Sequence, residues 1–345
     1  MINQRQKAIL SIIAQNKNIS SSAITELLTV ENIISRITII RDLNVLVKQK
    51  ILKRSGEGRS VTYAIKNVLI RPLDVDDYFK LSLRQRYDST RYLDFRSMRQ
   101  FFQLSSLFPL RRIEAVTKQF QKRFKRYGAK TLERELQRLT IEFTWKSSQI
   151  EGNTYTLLDT ERLLVQKKIA SGKTHDEALM ILNHKLAIDY IFKNPKLFKK
   201  ITPHLIKSIH QLAVSELRVK TGFRKHGVGI TGTNYKPFDN EFQIADAIEG
   251  LCHILNKVSH PFIKALIAVT GISYIQPFED GNKRTARLAG NALLYAYDYC
   301  PISYRSVSEI EYKKAIILFY EQHSLEYFAR LFTEQYVEGA KIYFP

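Results

Sequence analysis

The chain has 345 residues, of which 44% are hydrophobic and 25% are charged. This balance is typical of a folded globular protein and excludes a largely disordered chain. Lys and Arg number 54 against 33 Asp and Glu, which gives a formal net charge of +21 at pH 7. An excess of this size indicates a polyanionic partner, such as nucleic acid, nucleotide phosphates or an anionic membrane surface.

Membrane-spanning and secreted classes fit the sequence poorly. The most apolar stretch, residues 263–275, contains Lys264 and is shorter than the roughly 20 apolar residues that span a bilayer. The N-terminal segment lacks the continuous apolar block of a signal peptide. The two cysteines, Cys252 and Cys300, exclude a disulfide scaffold and have no metal-ligand spacing. We therefore expect a cytoplasmic protein without a membrane partner.

Residues 1–67 predict three helices followed by a β-hairpin. Apolar residues recur with helical spacing over residues 3–15, and further helices are predicted over 23–28 and 35–50. Alternating segments on both sides of the glycine turn at 55–58 predict the hairpin. The apolar face predicted for the third helix consists of Ile37, Ile40, Leu43, Leu46 and Val47.

This order of elements, and the sequence ISRITIIRDLNVLVKQKILKRSGEGRSVTYAI, resemble winged-helix transcription regulators. A helix of about 16 residues with a basic, polar face can enter the major groove of DNA, while Arg59 on the hairpin could reach phosphates. The same fold also mediates protein contacts or dimerisation, and this alternative stays open. The candidate DNA-binding residues are Arg36, Thr38, Arg41, Asn44 and Arg59.

The middle segment is strongly basic. Residues 84–130 contain thirteen Lys and Arg against three Asp and Glu. One interpretation is a surface for nucleic acid. The interpretation that we favour is a set of helices whose aromatic residues face the core and whose basic residues are solvated. The aromatic residues concerned are Tyr87, Tyr92, Phe95, Phe101, Phe102 and Phe108.

A helix predicted over residues 131–150 ends at Gly152, a residue typical of helix C-termini. Glu151 lies in its last turn, where the negative end of the helix dipole disfavours a carboxylate. We therefore expect a basic side chain from elsewhere in the fold to pair with Glu151.

The segment 276–282, QPFEDGN, separates two predicted helices. Gly281 permits a tight turn, and the N–H groups at the start of the second helix form an anion nest on its positive dipole. Arg284 and Arg287 lie one helical turn apart and could pair with phosphate oxygens. Asp280 is a hard oxygen ligand that could hold Mg²⁺ carrying the phosphates. The pattern predicts a nucleoside-triphosphate site that is not a Walker motif.

Residues 276–287, QPFEDGNKRTAR, resemble the Fic family signature HPFx[D/E]GN[G/K]RxxR at every specified position but the first. Residues 147–152, SSQIEG, resemble the inhibitory motif [S/T]xxxE[G/N] of that family, and residues 226–238 resemble its β-hairpin flap. The resemblance covers about residues 130–300. It implies a mainly α fold, in which a helical Fic core with a small β-hairpin flap follows an N-terminal α+β winged-helix domain.

The domains expected on this basis are four. They are a winged helix-turn-helix domain over residues 1–67, a helical linker or N-terminal Fic extension over 68–130, a Fic domain over 131–300 with the inhibitory motif at 147–152, and C-terminal helices over 301–345.

The resemblance also implies an activity, the transfer of AMP from ATP, with Mg²⁺, to a Ser, Thr or Tyr hydroxyl of a protein. Asp280 would match the metal ligand, and Glu151 the inhibitory glutamate that pairs with Arg287. The positions that would match the anion hole and the phosphate contacts are Gly281, Asn282, Lys283, Arg284 and Arg287. The flap positions that would align a target segment are Val228, Ile230, Gly232 and Tyr235.

The departure from the family is Gln276, which occupies the position of the catalytic histidine. A carboxamide cannot accept a proton near neutral pH, and loss of a general base typically costs a factor of about 10² to 10⁴ in rate. Two functions stay open: a slow adenylyltransferase acting on itself or another protein, and a nucleotide-binding module that reports ATP occupancy to a DNA-binding domain. If the glutamine replaces a natural histidine, the first function holds without this loss. A homo-oligomer is compatible with both.

Overall fold

The computed structural model describes residues 3–16, 18–29, 34–49, 51–66, 68–86, 92–95, 99–106 and 110–343. The N-terminal elements are α1 (Gln4–Gln15), β1 (Ile19–Ser20), α2 (Ser21–Thr29), α3 (Arg36–Lys48), β2 (Leu52–Ser55) and β3 (Thr62–Ile65). The strand β3 pairs antiparallel with both β1 and β2, so the sheet order is β1-β3-β2. The three helices and the hairpin are confirmed, with β1 as an additional short strand. The winged-helix resemblance stays a prediction.

The buried face of α3 differs from the predicted one. Its buried residues are Ile39, Asp42, Leu43 and Leu46. Asp42 faces inward because α1 supplies partners for both carboxylate oxygens: Gln6 Nε2 donates to Oδ1 at 2.9 Å and Arg5 Nε donates to Oδ2. This orientation turns Ile37 outward, where its side chain is 72% exposed. The expectation that Ile37 belongs to the core is therefore wrong.

The next elements are 3₁₀ turns at Val68–Ile70 and Arg99–Ser106 and the helices α4 (Val75–Lys80), α5 (Leu83–Arg86) and α6 (Leu110–Phe124). On α6 the apolar residues face the core and most of the basic residues are exposed, as the favoured interpretation of the middle segment expects. Phe95 and Phe101 are buried and stack on each other, whereas Tyr92 and Phe102 are 49% and 41% exposed. Two of the predicted core aromatics, Tyr87 and Phe108, lie outside the described residues.

Nine α-helices and a 3₁₀ turn at Pro195–Lys199 complete the described part of the chain. The helices are α7 (Ala129–Ile150), α8 (Leu157–Gln166), α9 (His175–Lys193), α10 (Pro203–Ala213), α11 (Glu241–Lys257), α12 (Pro261–Ile275), α13 (Asn282–Ala296), α14 (Glu309–Gln322) and α15 (Glu326–Ile342). The centre of the body is α12, whose residues from Phe262 to Ile275 are all buried. Gly290 lets α13 approach α12 closely, because a Cβ there would lie 2.5 Å from Val269 Cγ2. The predicted helices flanking residues 276–282 are confirmed.

The β-hairpin expected at residues 226–238 is absent. The structure describes this whole segment, which we call the cleft loop, and it contains a turn but no strand. Its polar groups bond to other parts of the chain instead of forming a ladder: the Gly232 carbonyl accepts from Arg86 Nη2 at 2.9 Å, and Asn234 Nδ2 donates to the Leu83 carbonyl at 2.6 Å. Glycines at 227, 229 and 232 also weaken any strand.

The protein is thus mainly α, with its small sheet confined, among the described residues, to the N-terminal part. Every helix in the described ranges is too short or too polar to cross a lipid bilayer. The four domain boundaries predicted from the sequence stay predictions.

Candidate phosphate-binding cleft

The turn between α12 and α13 is rigidly built. Gln276 ends α12 in the left-handed conformation, at φ +49°, and its N–H donates to the Ile272 carbonyl at 3.0 Å. Gly281 caps α13 at φ +76°, and a Cβ there would lie 2.8 Å from Val214 Cγ1. Only glycine meets both conditions without strain. The turn therefore presents the first N–H groups of α13 in a fixed direction.

Asn282 and His210 hold the turn in place. Asn282 Oδ1 accepts from the Phe278 N–H at 2.8 Å, and Asn282 Nδ2 donates to the Phe278 carbonyl at 2.7 Å. The His210 ring stacks on Phe278 with centroids 3.7 Å apart, and its Nε2 lies 3.0 Å from the Asp280 carbonyl. Burial lowers the pKa of His210 to about 4, so the ring is neutral at pH 7 and donates from Nε2.

Two arginines on α13 lie behind the turn. Arg284 is 2% exposed; its Nη1 donates to the Ala213 carbonyl at 3.2 Å, and its Nη2 lies 3.5 Å from Asp280 Oδ2. Arg287 is fully buried, and the last turns of α7 supply its partners. Its Nε donates to Ser147 Oγ at 2.9 Å and its Nη2 to the Ser147 carbonyl at 2.7 Å.

Glu151 completes this arrangement. Its Oε1 lies 2.8 Å from Arg287 Nη2, and its Oε2 lies 3.5 Å from Lys283 Nζ. Burial alone would raise the pKa of Glu151, but the charges of Arg287 and Lys283 hold it below its ordinary value. The carboxylate is therefore ionised at pH 7. The basic partner that the helix dipole argument requires is present, and the pairing of Glu151 with Arg287 is confirmed.

The turn opens into a cleft of about 400 Å³. The anion nest forms one part of its lining, and the cleft loop contributes Val228 and Ile230, as the sequence predicts. The other two predicted loop residues lie elsewhere: Gly232 is outside the lining, and Tyr235 is buried with its hydroxyl donating to the Tyr274 carbonyl at 2.9 Å. The Tyr235 side chain is therefore a core group that cannot contact a target.

One wall of the cleft was not anticipated from the sequence. It is formed by four residues of α14: Lys313, Ile316, Ile317 and Tyr320. They recur at helical spacing, but this pattern alone does not distinguish a cleft wall from a core face.

Gln276 lines the cleft at the position predicted for catalysis. Its Nε2 donates to the Ser273 carbonyl at 2.6 Å and lies 3.3 Å from Tyr320 Oη, and its backbone carbonyl accepts from Arg224 Nε at 2.7 Å. The carboxamide is held at the edge of the cleft, where it can orient a hydroxyl group by hydrogen bonding but cannot remove its proton.

Asp280 is the residue that could hold a metal ion, since its carboxylate lies at the start of the nest and its side chain is 70% exposed. The described residues contain no cluster of three or more His, Cys, Asp or Glu side chains arranged to hold a metal ion. A single carboxylate suits Mg²⁺, which usually keeps several waters and binds through one or two carboxylates and the phosphates of its ligand. The donor set therefore fits Mg²⁺ carried by a nucleotide.

The candidate DNA-binding residues lie at the surface of the N-terminal part. Arg41, Asn44 and Arg59 are exposed, Arg36 Nη2 lies 3.4 Å from Ser22 Oγ, and Thr38 is half-buried. The same face of α3 also carries the exposed Ile37 and the partly exposed Val45. A polar and apolar surface of this kind can contact base edges and thymine methyl groups, or a protein.

The fold and the cleft define a helical protein with a glycine turn between two central helices that could bind an anion. Residues 200–294, which contain this turn, match the model of the family described as the Fic/DOC family. The protein adenylyltransferase Fic of Drosophila mojavensis is 33% identical over 170 residues, which cover 47% of this chain and 33% of that protein. The enzyme of the same name from Culex quinquefasciatus is 32% identical over 182 residues, 51% of this chain and 35% of that protein. The chain thus matches about a third of the length of these relatives.

Solved structures agree on the fold. A Fic domain containing signaling protein from Bacteroides thetaiotaomicron superposes with a TM-score of 0.56 at 19% identity, covering 66% of this chain and 95% of that one. Residues 134–508 of Fic-1 from C. elegans give a TM-score of 0.56 at 20% identity, covering 70% and 73%. Residues 200–294 thus match the Fic/DOC family model, and the fold of the helical body is similar to that of solved Fic structures.

Proposed function

We propose that the cleft binds Mg·ATP and that the protein is an adenylyltransferase restrained by its own Glu151. The observation that carries this proposal is the 2.8 Å pair between Glu151 Oε1 and Arg287 Nη2 behind the anion nest. In this proposal Arg287 binds the far end of the triphosphate once Glu151 releases it, as the resemblance to the Fic signature implies. The reaction class comes from the curated relatives, which are named protein adenylyltransferase Fic.

In the proposed reaction the oxygen of a protein Ser, Thr or Tyr hydroxyl forms a bond to the α-phosphorus of ATP. The bond from that phosphorus to the bridging oxygen breaks, and pyrophosphate leaves. The nest at Gly281 and Asn282, together with Arg284, would stabilise the negative charge on the phosphates. Mg²⁺ held by Asp280 would neutralise further phosphate charge.

Gln276 determines how fast this reaction can run. The hydroxyl proton must leave as the new bond forms, and a carboxamide cannot take it, so the proton passes to solvent. We expect transfer to be slower by about 10² to 10⁴ than with a histidine at this position. Gln276 retains the ability to orient the attacking hydroxyl.

A second candidate function follows from Gln276 and from the exposed basic face of α3. In this alternative, the Fic domain binds nucleotide without useful chemistry, and its occupancy regulates a DNA-binding winged helix formed by residues 1–67. The order of the helices and strands and the excess of Lys and Arg in that segment support DNA binding.

Transfer of α-phosphate label from ATP to protein, with Mg²⁺, distinguishes the two functions. The variants are the unchanged chain, Glu151→Gly, and Glu151→Gly combined with Gln276→His. Glu279→Ala, which removes an exposed carboxylate at the rim of the same cleft, controls for a general loss of negative charge. The affinity for Mg·ATP is measured in parallel, and Glu151→Gly should raise it by freeing Arg287.

Label already present in Glu151→Gly would establish a working adenylyltransferase held inactive by its glutamate. Label only in the double variant would establish that the cleft supports transfer once a histidine general base replaces Gln276. This result would favour the nucleotide-sensing function for the unchanged chain. If Glu151→Gly changes the ATP affinity and the transfer no more than Glu279→Ala does, the inhibitory role of Glu151 is refuted.

A further inference from the structure

Glu321, near the C-terminal end of α14, is a buried carboxylate that joins two segments far apart in the sequence. It is 1% exposed. Thr233 Oγ1, in the cleft loop, donates to Glu321 Oε1 at 2.7 Å, and Tyr78 Oη, in α4, lies 2.7 Å from Glu321 Oε2. The Tyr78 hydroxyl also contacts the Arg86 carbonyl and accepts from Gln322 Nε2 at 3.3 Å, so its single proton is shared between Glu321 and Arg86. A buried carboxylate is costly unless donors satisfy it, so both hydroxyls are held firmly in place.

Two more hydrogen bonds join the same segments directly. Arg86 Nη2 donates to the Gly232 carbonyl at 2.9 Å, and Asn234 Nδ2 donates to the Leu83 carbonyl at 2.6 Å. Arg86 is itself buried, with its guanidinium carbon 4.9 Å from the centre of the Phe79 ring. Three consecutive residues of the cleft loop, 232–234, are therefore each bonded either to residues 78–86 or to Glu321.

These bonds act next to the cleft. The loop residues just before them, 228–231, line the cleft, and so does the face of α14 one turn before Glu321. Gly232 packs on α14, since a Cβ there would lie 3.7 Å from Ile317 Cδ1. On the other side, residues 71–86, which we call the linker strap, follow the three-stranded sheet and lead into the helical body. The strap is thus in contact with a wall of the cleft while being connected to the N-terminal elements.

We propose that Glu321 is a positioning residue that fastens the cleft loop to the linker strap, so that the strap sets the affinity of the cleft for its nucleotide. This inference rests on the proposed function, because it assumes that the cleft binds Mg·ATP. Releasing the strap weakens binding, because the ligand must then supply the free energy that orders the loop. A partner that displaces the N-terminal elements is sensed in the cleft by the same route.

Tyr78→Phe tests the proposal, because it removes one hydroxyl and leaves every residue of the cleft lining unchanged. Tyr190→Phe is the matched control: Tyr190 lies half-buried on α9, and its hydroxyl has no hydrogen-bond partner among the described residues. Amide hydrogen exchange over residues 226–236 and the Kd for Mg·ATP are measured in the Glu151→Gly background. Tyr78→Phe should speed exchange in the loop and raise the Kd by about 2- to 30-fold, and Tyr190→Phe should change neither.

Thr233→Val supplies the second half of a double-mutant cycle. Because both hydroxyls bind one carboxylate, the double variant should raise the Kd by less than the product of the two single effects. The proposed role of Glu321 is refuted if Tyr78→Phe matches Tyr190→Phe in loop exchange and in Kd. It is also refuted if the effects of Tyr78→Phe and Thr233→Val on the Kd simply multiply in the double variant. If no variant binds Mg·ATP, the proposed function fails on its own, while unchanged loop exchange would separately refute the link from Tyr78 to the loop.

Discussion

Glu151 shows how an unfavourable local position can predict a long-range contact. A carboxylate at the C-terminal end of α7 is repelled by the helix dipole, so its presence there requires a cation from another element. The structure supplies Arg287 and Lys283 at 2.8 and 3.5 Å.

Tyr235 shows the opposite case. Its place in a glycine-rich loop indicates an accessible residue, yet its ring packs on Tyr320 in the core, because the surrounding elements enclose it.

His210 makes the turn before α13 sensitive to acid. Its pKa is about 4 in the folded chain and about 6.5 when unfolded, so the unfolded chain binds more protons between these values. The contribution of neutral His210 to the free energy of unfolding is fully present above pH 6.5. It decreases by about 3 kcal/mol as the pH falls from 6.5 to 4.

Urea unfolding at a series of pH values measures this loss. His210→Gln should reduce the slope of stability against pH between 6.5 and 4. Its free energy of unfolding at pH 7 should also be lower, because the ring no longer stacks on Phe278. If the free energy of unfolding of His210→Gln depended on pH as steeply as that of the unchanged chain, His210 would not be the source of the acid sensitivity.

At the scale of elements, the sequence predicts those helices and turns that depend on residues close together along the chain. The two central helices and the turn between them follow from an apolar run, a glycine and a polar helix start within about 30 residues. The inward face of α3 was predicted incorrectly at Ile37, because the partners of Asp42 come from α1, more than 35 residues away. The α14 wall was not predicted, because the amphipathic pattern of a helix does not show which of its faces lines a cleft. The cleft loop resembles a hairpin in sequence, but its polar groups bond to Leu83 and Arg86 of α5.

A comparison of Gly281, in the turn before α13, with Gly172, in the loop before α9, distinguishes backbone strain from side-chain crowding. Gly281 and Gly172 have nearly the same dihedral angle, φ +76° and +73°, but a Cβ at Gly281 would lie 2.8 Å from Val214 Cγ1 and one at Gly172 would meet nothing within 4 Å. Gly172→Ala should lower the free energy of unfolding by about 1–2 kcal/mol from the left-handed backbone alone. Gly281→Ala should lower it by about 2–5 kcal/mol, because crowding adds to the strain.

Denaturant unfolding compares the two variants, and Mg·ATP binding should be lost only in Gly281→Ala. If Gly281→Ala and Gly172→Ala lowered the free energy of unfolding equally, the Val214 side chain would have moved to make room for the new methyl group. The nest would then be less rigid than its contacts indicate.

At the scale of the whole molecule, the net charge of +21 favours binding to any polyanion, so specificity must come from particular side chains. If α3 enters the major groove, Arg41→Ala should weaken binding to an operator-length duplex by about 1–3 kcal/mol. Arg162→Ala, at an exposed site on α8, removes the same charge from the helical body and should have a much smaller effect. DNA affinity measured at several salt concentrations tests this. Equal affinities for the two variants would favour a protein-contact role for the N-terminal elements.

The way in which Arg287 is anchored has a consequence for how quickly the restraint that we propose for Glu151 could be lifted. Within the described residues its Nε and Nη2 donate to Ser147, and Nη2 also donates to Glu151, while its guanidinium carbon lies 5.3 Å from the centre of the Tyr312 ring. If the Glu151 side chain rotates away, the guanidinium keeps its position and orientation, and no helix has to unfold or shift. An incoming phosphate would meet a cation that is already oriented, so little conformational entropy would be lost on binding it. Switching between the two states would then require a single rotamer change at the end of α7 rather than a rearrangement of the domain.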